Sequence, residues 1–147
     1  MSSAAREPGV SALLVGEYET DRILLRELFR EFGWRLFEAD NRHRALDCLT
    51  RNPVHVLITE SHSPHWDWRK ALNDLRRMAR PPQLIVTSRT ADDHLWAEVL
   101  NVGGYDVLAQ PLERDEVERV LSSARRHFDL PVRMMSQGAG APAASVA

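Results

Sequence analysis

The sequence is short of several things, and each shortage removes a class of explanation. It has a single cysteine, Cys48, in 147 residues. No internal disulfide framework is therefore possible, which fits a reducing compartment, and Cys48 reads as a small apolar helix residue. Lysine is nearly missing: Lys70 is the only one among 19 basic residues. The 21 acids bring the net charge to −2, leaving no electrostatic footprint for nucleic acid or an anionic membrane. No apolar run approaches the roughly 20 residues that span a bilayer. The opening "MSSAAREPG" has no apolar h-region and does not read as a signal peptide. These shortages lead to the expectation of a cytoplasmic protein of one domain, long enough to bury a core unaided.

What is present is a strict alternation of short apolar runs and longer amphipathic segments. Residues 1–9 are small and polar and are expected to form a disordered N-terminal tail. Residues 129–147 turn into Gly/Ala/Pro/Ser sequence that cannot bury a core and are expected to form a flexible C-terminal tail. Between them, the domain over 10–128 begins with "SALLVG", a run typical of a strand covered on both faces. "ETDRILLRELFREFG" follows with apolar residues at helical spacing and Gly33 where a helix stops. "WRLFEA" reads as a second strand, and "NRHRALDCLTRN" as a helix capped by Asp40 or Asn41. Pro53 leads into the strand "VHVLIT", and the pattern predicts a helix over 67–79, "DWRKALNDLRRMA". "PPQLIVTS" is the fourth strand, "ADDHLWAEVLNVGG" the fourth helix, "YDVLAQ" the fifth strand and "LERDEVERVLSSARRHF" the last helix.

Five strand–helix units in this order argue an α/β fold, a parallel sheet with helices on both faces. The functional crevice of such a sheet lies beyond the carboxyl ends of its strands. That rule selects Gly16-Glu17, Glu60 and the loop after it, Thr87-Ser88, and Gln110-Pro111.

Several anchors at these places are shared with a known family. "LLVGEYETDR" supplies a first strand and acidic turn, and Pro64 stands four residues after Glu60. Thr87 closes the fourth strand, and "GGYDVLAQPL" supplies a Gly…X-Pro ending. From about Ser11 to Phe128 the chain resembles the receiver domain of bacterial two-component response regulators (CheY-like). The resemblance implies a flavodoxin-like (βα)5 three-layer sandwich with strand order 2-1-3-4-5. It also implies a reaction, phosphoryl transfer to an aspartate ending the third strand. A divalent cation held by an acidic pair, a Thr/Ser ending the fourth strand and a lysine before the final proline assist it. Charge neutralisation by a metal and a cationic side chain is what such a transfer needs.

Carried over residue by residue, that site is largely gone. The acidic pair becomes Gly16-Glu17, and losing a carboxylate from a small oxygen set weakens Mg²⁺. The acceptor becomes Glu60, one methylene longer; a misplacement of about 1 Å costs on the order of a hundredfold in rate. The lysine becomes Gln110, and Lys70 lies in the wrong element to replace it. The aromatic that reports phosphorylation in many members becomes Val107. Thr87 and Pro111 are retained. The resemblance therefore implies a degenerate pseudo-receiver, with no catalytic residue, no cofactor and weak or absent Mg²⁺ binding.

Three readings of Glu60 stay open: a poor phosphoacceptor, a mimic of phosphoaspartate that holds Thr87 inward, or a solvated carboxylate. His62 and His65, with Glu60 and Asp67 nearby, form a His-x-x-His pair lacking the rigid i, i+4 face of a helical zinc motif. Trp66 and Trp68 either form a contact surface at the mouth of the former site or fold down to fill it. Trp96 and Tyr105 lie on the fourth-helix/fifth-strand/fifth-helix face, the usual signalling surface of the family, although Trp96 equally suits the core.

The resulting expectation is a stand-alone receiver-like adaptor, independent of phosphorylation. It would contact a histidine kinase, regulator or output protein, or a second copy of itself, and not nucleic acid or membrane. The stretch after Phe128 is too short for an attached output domain. One alternative keeps phosphate chemistry at Glu60 or Glu17. Another, a flavodoxin-like cofactor binder, is opposed by the three acids of "GEYETD" where a phosphate-binding loop needs free N–H groups.

Overall fold

Each predicted apolar run becomes a strand, and each amphipathic segment a helix that crosses back over the sheet. The computed structural model describes residues 9–64 and 66–130. The order is β1 (Ser11–Val15), α1 (Glu19–Phe32), β2 (Arg35–Ala39), α2 (Arg42–Arg51), β3 (Val56–Glu60), α3 (Trp68–Leu75), β4 (Gln83–Ser88), α4 (Asp93–Asn101), β5 (Asp106–Ala109) and α5 (Arg114–Phe128). Every strand pairing is parallel, and the sheet order is β2-β1-β3-β4-β5, the flavodoxin-like arrangement expected. Residues 1–8 and 131–147, most of the two predicted tails, lie outside the described residues, as does His65.

The two-residue period of a strand divides the core in two. In β1, Ala12 and Leu14 join Leu25, Leu28, Val117 and Leu121 on the α1/α5 side. Leu13 and Val15 point the other way, to Leu57, Leu72, Leu84 and Val99. The interior strand β4 is buried along all six residues, whereas the edge strand β2 is only partly covered. This is why β4 reads as an uninterrupted apolar run.

Local chemistry sets the ends of the helices. Gly33 ends α1 in the left-handed region at φ 69°, where its N–H reaches the Arg30 and Phe29 carbonyls, a conformation a side chain disfavours. Asn41, rather than Asp40, caps α2 by accepting the Arg44 N–H at 2.8 Å. Helix α3 stops at Leu75, short of the predicted Ala79. The chain instead tightens, with Arg77 N–H donating to Asp74 O at 3.2 Å and Met78 N–H to Leu75 O at 3.0 Å. These turns place Met78 against the core before Pro81-Pro82 bar any further helix. No helix among the described residues is long and apolar enough to cross a membrane.

At the amino end of the sheet, His55 joins three elements. Its Nδ1 accepts the Ser11 N–H at 3.0 Å, and its ring meets Phe128 edge-on at 5.0 Å. Burial, then the Arg125 charge, hold its pKa below the ordinary 6.5 against the pull of Asp129. The folded chain therefore carries fewer protons here than the unfolded chain, and stability rises with pH. This contribution is complete above about pH 6.5 and is lost as the pH falls through the depressed folded value. Melting temperatures measured from about pH 7.5 down to about pH 5 should fall. In His55→Asn, whose Oδ1 stands in for Nδ1, the fall should be shallower.

Candidate functional site

The carboxyl ends of β1, β3, β4 and β5 open on a cavity of about 500 Å³ lined by Glu17, Tyr18, Glu60, Ser61, Arg89 and Gln110, among others. It is the crevice that the parallel topology predicts. Its centre is a carboxylate facing backbone. Glu60 Oε2 accepts the N–H of Glu17 at 3.1 Å and of Tyr18 at 2.9 Å. Tyr18 is the N-cap residue of α1 and makes no side-chain cap bond. A residue from β3 thus supplies the charge and acceptor that a helix N-terminus favours.

Gly16 makes this reach possible. A Cβ there would meet Oε2, Cδ and Cγ of Glu60 at 2.8, 2.9 and 3.0 Å. The glycine and the longer acid, read separately in the sequence as two losses, are one packing solution. Arg22 holds the loop from the other side, its Nη2 donating to the Gly16 carbonyl at 2.6 Å.

Gln110 is turned away from Glu60. Its Nε2 donates to Asp21 Oδ2 at 2.7 Å, and the Leu112 N–H donates to Asp21 Oδ1 at 2.9 Å. Asp21 is only 4% exposed, so these donors satisfy a buried acid and tie the β5–α5 loop to α1. The Gln110–Pro111 peptide is cis. Thr87 is buried beside Glu60, its partner in the β3–β4 register. Among the described residues, however, no side-chain hydrogen bond joins the two. The mimic reading, in which Glu60 holds Thr87, does not match this geometry.

On the opposite wall of the cavity, the sequence reading missed Arg89 and Thr90. The Arg89 guanidinium sits over the Tyr18 ring, 4.4 Å from its centroid. Ser61 Oγ donates to Ser88 Oγ at 2.8 Å, and Ser88 Oγ lies 3.2 Å from Thr90 Oγ1. His62 Nδ1 contacts Ser61 Oγ at 2.8 Å; His65 lies outside the described residues. Nothing in composition or spacing marks Arg89 or Thr90, because only the fold brings the loops after β3 and β4 together. Asp21 carried a signal, an acid at an otherwise inward helical position, but it read as one of three loop acids.

The donor set does not fit Mg²⁺. Gly16 offers no ligand, the Glu60 oxygen nearest β1 already accepts two N–H bonds, and Asp21 is committed to Gln110 and Leu112. Among the described residues, no group of three His, Cys, Asp or Glu side chains is placed to hold a metal ion.

The two tryptophans proposed as a partner surface are core. Trp66 is 2% exposed and Trp68 1%, so neither offers a contact face. Trp68 is among the largest fully buried side chains and packs against the core under α3. Trp66 lies in the same cluster, with its indole N–H donated to Asp74 Oδ2 at 3.0 Å. Asp74 also takes a two-point contact from Arg42, at 2.9 and 3.1 Å. The Arg42 bonds, with Trp66 adding to them against the opposing effect of burial, hold its pKa below 3.8. Trp96, by contrast, is half exposed at 49%. Tyr105 is partly buried, its hydroxyl bonded to Ser123 and its ring 5.5 Å from His127.

Two outcomes test this geometry by urea denaturation. Gly16→Ala should cost about 1–2 kcal/mol by pushing Glu60 off its amides, yet be close to neutral in a Glu60→Ala background. Trp68→Ala should cost about 3–5 kcal/mol, the range for emptying a large buried aromatic site.

No protein-family model matches the chain. Among curated proteins it is similar to the KDP operon transcriptional regulatory protein KdpE of Escherichia coli (strain K12). The two are 29% identical over 119 residues, 80% of this chain and 52% of that protein, so the chain spans about half the length of that relative. Sporulation initiation phosphotransferase F of Bacillus subtilis (strain 168) is 25% identical over 105 residues, covering 71% of this chain and 85% of the other. The signal receiver domain of an HD domain-containing protein from Pseudomonas fluorescens Pf-5 superposes with a TM-score of 0.71 at 24% identity. That match covers 82% of this chain and 98% of the other. In fold the chain matches receiver domains, and in sequence it is similar to two-component response regulators.

Proposed function

We propose that this receiver domain works as a signalling adaptor, by protein–protein contact, without accepting phosphate and without Mg²⁺. The observation that carries the reading is the Glu60 carboxylate lying on the Glu17 and Tyr18 amides above Gly16. An acceptor carboxylate must present a free oxygen in line with the incoming phosphorus, next to a metal and a cation. Here the nearest oxygen is hydrogen-bonded into backbone, and the side chain at the expected lysine position is neutral and bonded to Asp21. Contact rather than turnover is what such a site leaves available. The partner would be a protein, such as a histidine kinase, a regulator or an output protein.

Intact-mass measurement after incubation with acetyl phosphate and Mg²⁺ tests the reading, alongside spectra recorded with beryllofluoride. The expected result is no mass gain and unchanged spectra. Saturable, Mg²⁺-dependent phosphorylation that disappears in Glu60→Ala would overturn it and make Glu60 an acceptor; persistence in that variant and loss in Glu17→Ala would assign Glu17.

A further inference from the structure

The cavity wall opposite Glu60 is a directed chain of hydrogen bonds whose last proton has no acceptor within it. Ser88 is 1% exposed, so protein groups rather than bulk water must satisfy its hydroxyl. Its Oγ accepts the Ser61 Oγ–H at 2.8 Å and the Thr90 N–H at 3.1 Å. Both lone pairs are then taken, and the Ser88 proton goes to its remaining neighbour, Thr90 Oγ1, at 3.2 Å. Ser61 gives its own proton to Ser88, so His62 Nδ1 is the donor in the 2.8 Å contact between them. Protons therefore run from His62 through Ser61 and Ser88 to Thr90. The Thr90 hydroxyl proton has no acceptor among the described residues, and Thr90 lines the cavity with Arg89 beside it. Arg89 rests on the Tyr18 ring and pairs with no carboxylate among the described residues. A guanidinium held over a ring keeps its N–H edge for a planar anion.

We infer that this cavity binds a small zwitterion of the amino-acid type, its carboxylate on Arg89 and the Thr90 hydroxyl and its ammonium on the Glu60 side. Tyr18 sets the two poles, since its ring carries Arg89 and its N–H holds Glu60 Oε2. Glu60 Oε1 accepts no hydrogen bond among the described residues. A simple anion such as phosphate fits worse, because the Glu17 and Glu60 carboxylates line the same cavity and repel it. A simple cation meets Arg89. A dipolar molecule satisfies both walls, and being neutral overall it adds no net charge to a crowded turn. A volume of about 500 Å³ lies within the range of small-ligand pockets. The inference rests on the proposed reading in one respect, that neither Mg²⁺ nor a phosphoryl group occupies the cavity.

Isothermal titration and amide shifts of the ¹⁵N-labelled protein are recorded with glycine, leucine, phenylalanine and γ-aminobutyrate. Each is compared with its N-acetyl and carboxamide derivatives, and with sodium phosphate and acetate. At least one free zwitterion should bind with a Kd of roughly micromolar to millimolar, its shifts centred on 17–18, 60–62 and 88–90. The blocked derivatives and the simple anions should bind about tenfold more weakly or worse. Arg89→Ala should weaken the zwitterion about tenfold and Thr90→Val severalfold; both side chains are exposed, so the fold does not depend on them. Glu60→Gln should weaken the free zwitterion while leaving its N-acetyl derivative unchanged. No binding by any of these zwitterions, equal binding by phosphate or by the blocked derivatives, or undiminished affinity in Arg89→Ala would overturn the inference. The titrations contain neither Mg²⁺ nor a phosphodonor. Phosphate uptake in the acetyl phosphate experiment would therefore sink the phosphorylation-independent reading on its own, and the two failures are separable.

Discussion

Glu60 leaves the end of β3 and spans to the amides of Glu17 and Tyr18, and the roles of its neighbours follow from that reach. Hydrogen bonds to a charged acceptor contribute about 1.5–3 kcal/mol each. A negative charge at a helix N-terminus adds about 0.3–1 kcal/mol. Against this stands a crowd of like charge, because Glu17, Glu19 and Asp21 share the same turn. Two of these acids have their own outlets. Glu19 pairs with Arg22 at 3.2 Å, and Asp21 is satisfied by Gln110 and Leu112. Arg22 also draws in the Gly16 carbonyl.

The departures from the receiver pattern fall into two coupled groups. Gly16 and Glu60 belong together because the longer acid needs the space a side chain would fill. Gln110 and Asp21 belong together because a buried carboxylate requires a donor and a neutral amide supplies one. A side chain at Gly16 would therefore push Glu60 off its amides.

The layout of the fold was legible in the sequence because two-sided burial leaves a long shadow there. β4 is buried at all six positions and reads as one apolar run. Strand alternation, the Gly33 stop and the Pro81-Pro82 break are local chemistry and survive translation into structure. The carboxyl-end rule brought Glu60, Gly16, Thr87 and Gln110 to one end correctly. What they do to one another was hidden, because a choice between Thr87 and two backbone amides is decided within a few ångströms by side-chain length. Trp66 and Trp68 stand next to a polar loop, and only the position of Asp74 and the hollow under α3 turns them inward. Trp96 carries the same residue type on a helix with a ready apolar stripe, yet only Val99 of that helix is fully buried.

One ladder joins β3 to β5. Glu60 pairs with Thr87 across β3–β4, while Val86 pairs with Val107 and Ser88 with Ala109 across β4–β5. Strand β5 is thus two strands from the anchored carboxylate, within one sheet. A sheet packed on both faces does not deform continuously, so a change at one end reaches the other only if a bistable element lies between them. In the proposed reading Glu60, held on the Glu17 and Tyr18 amides, supplies no ligand-dependent charge to drive such a switch.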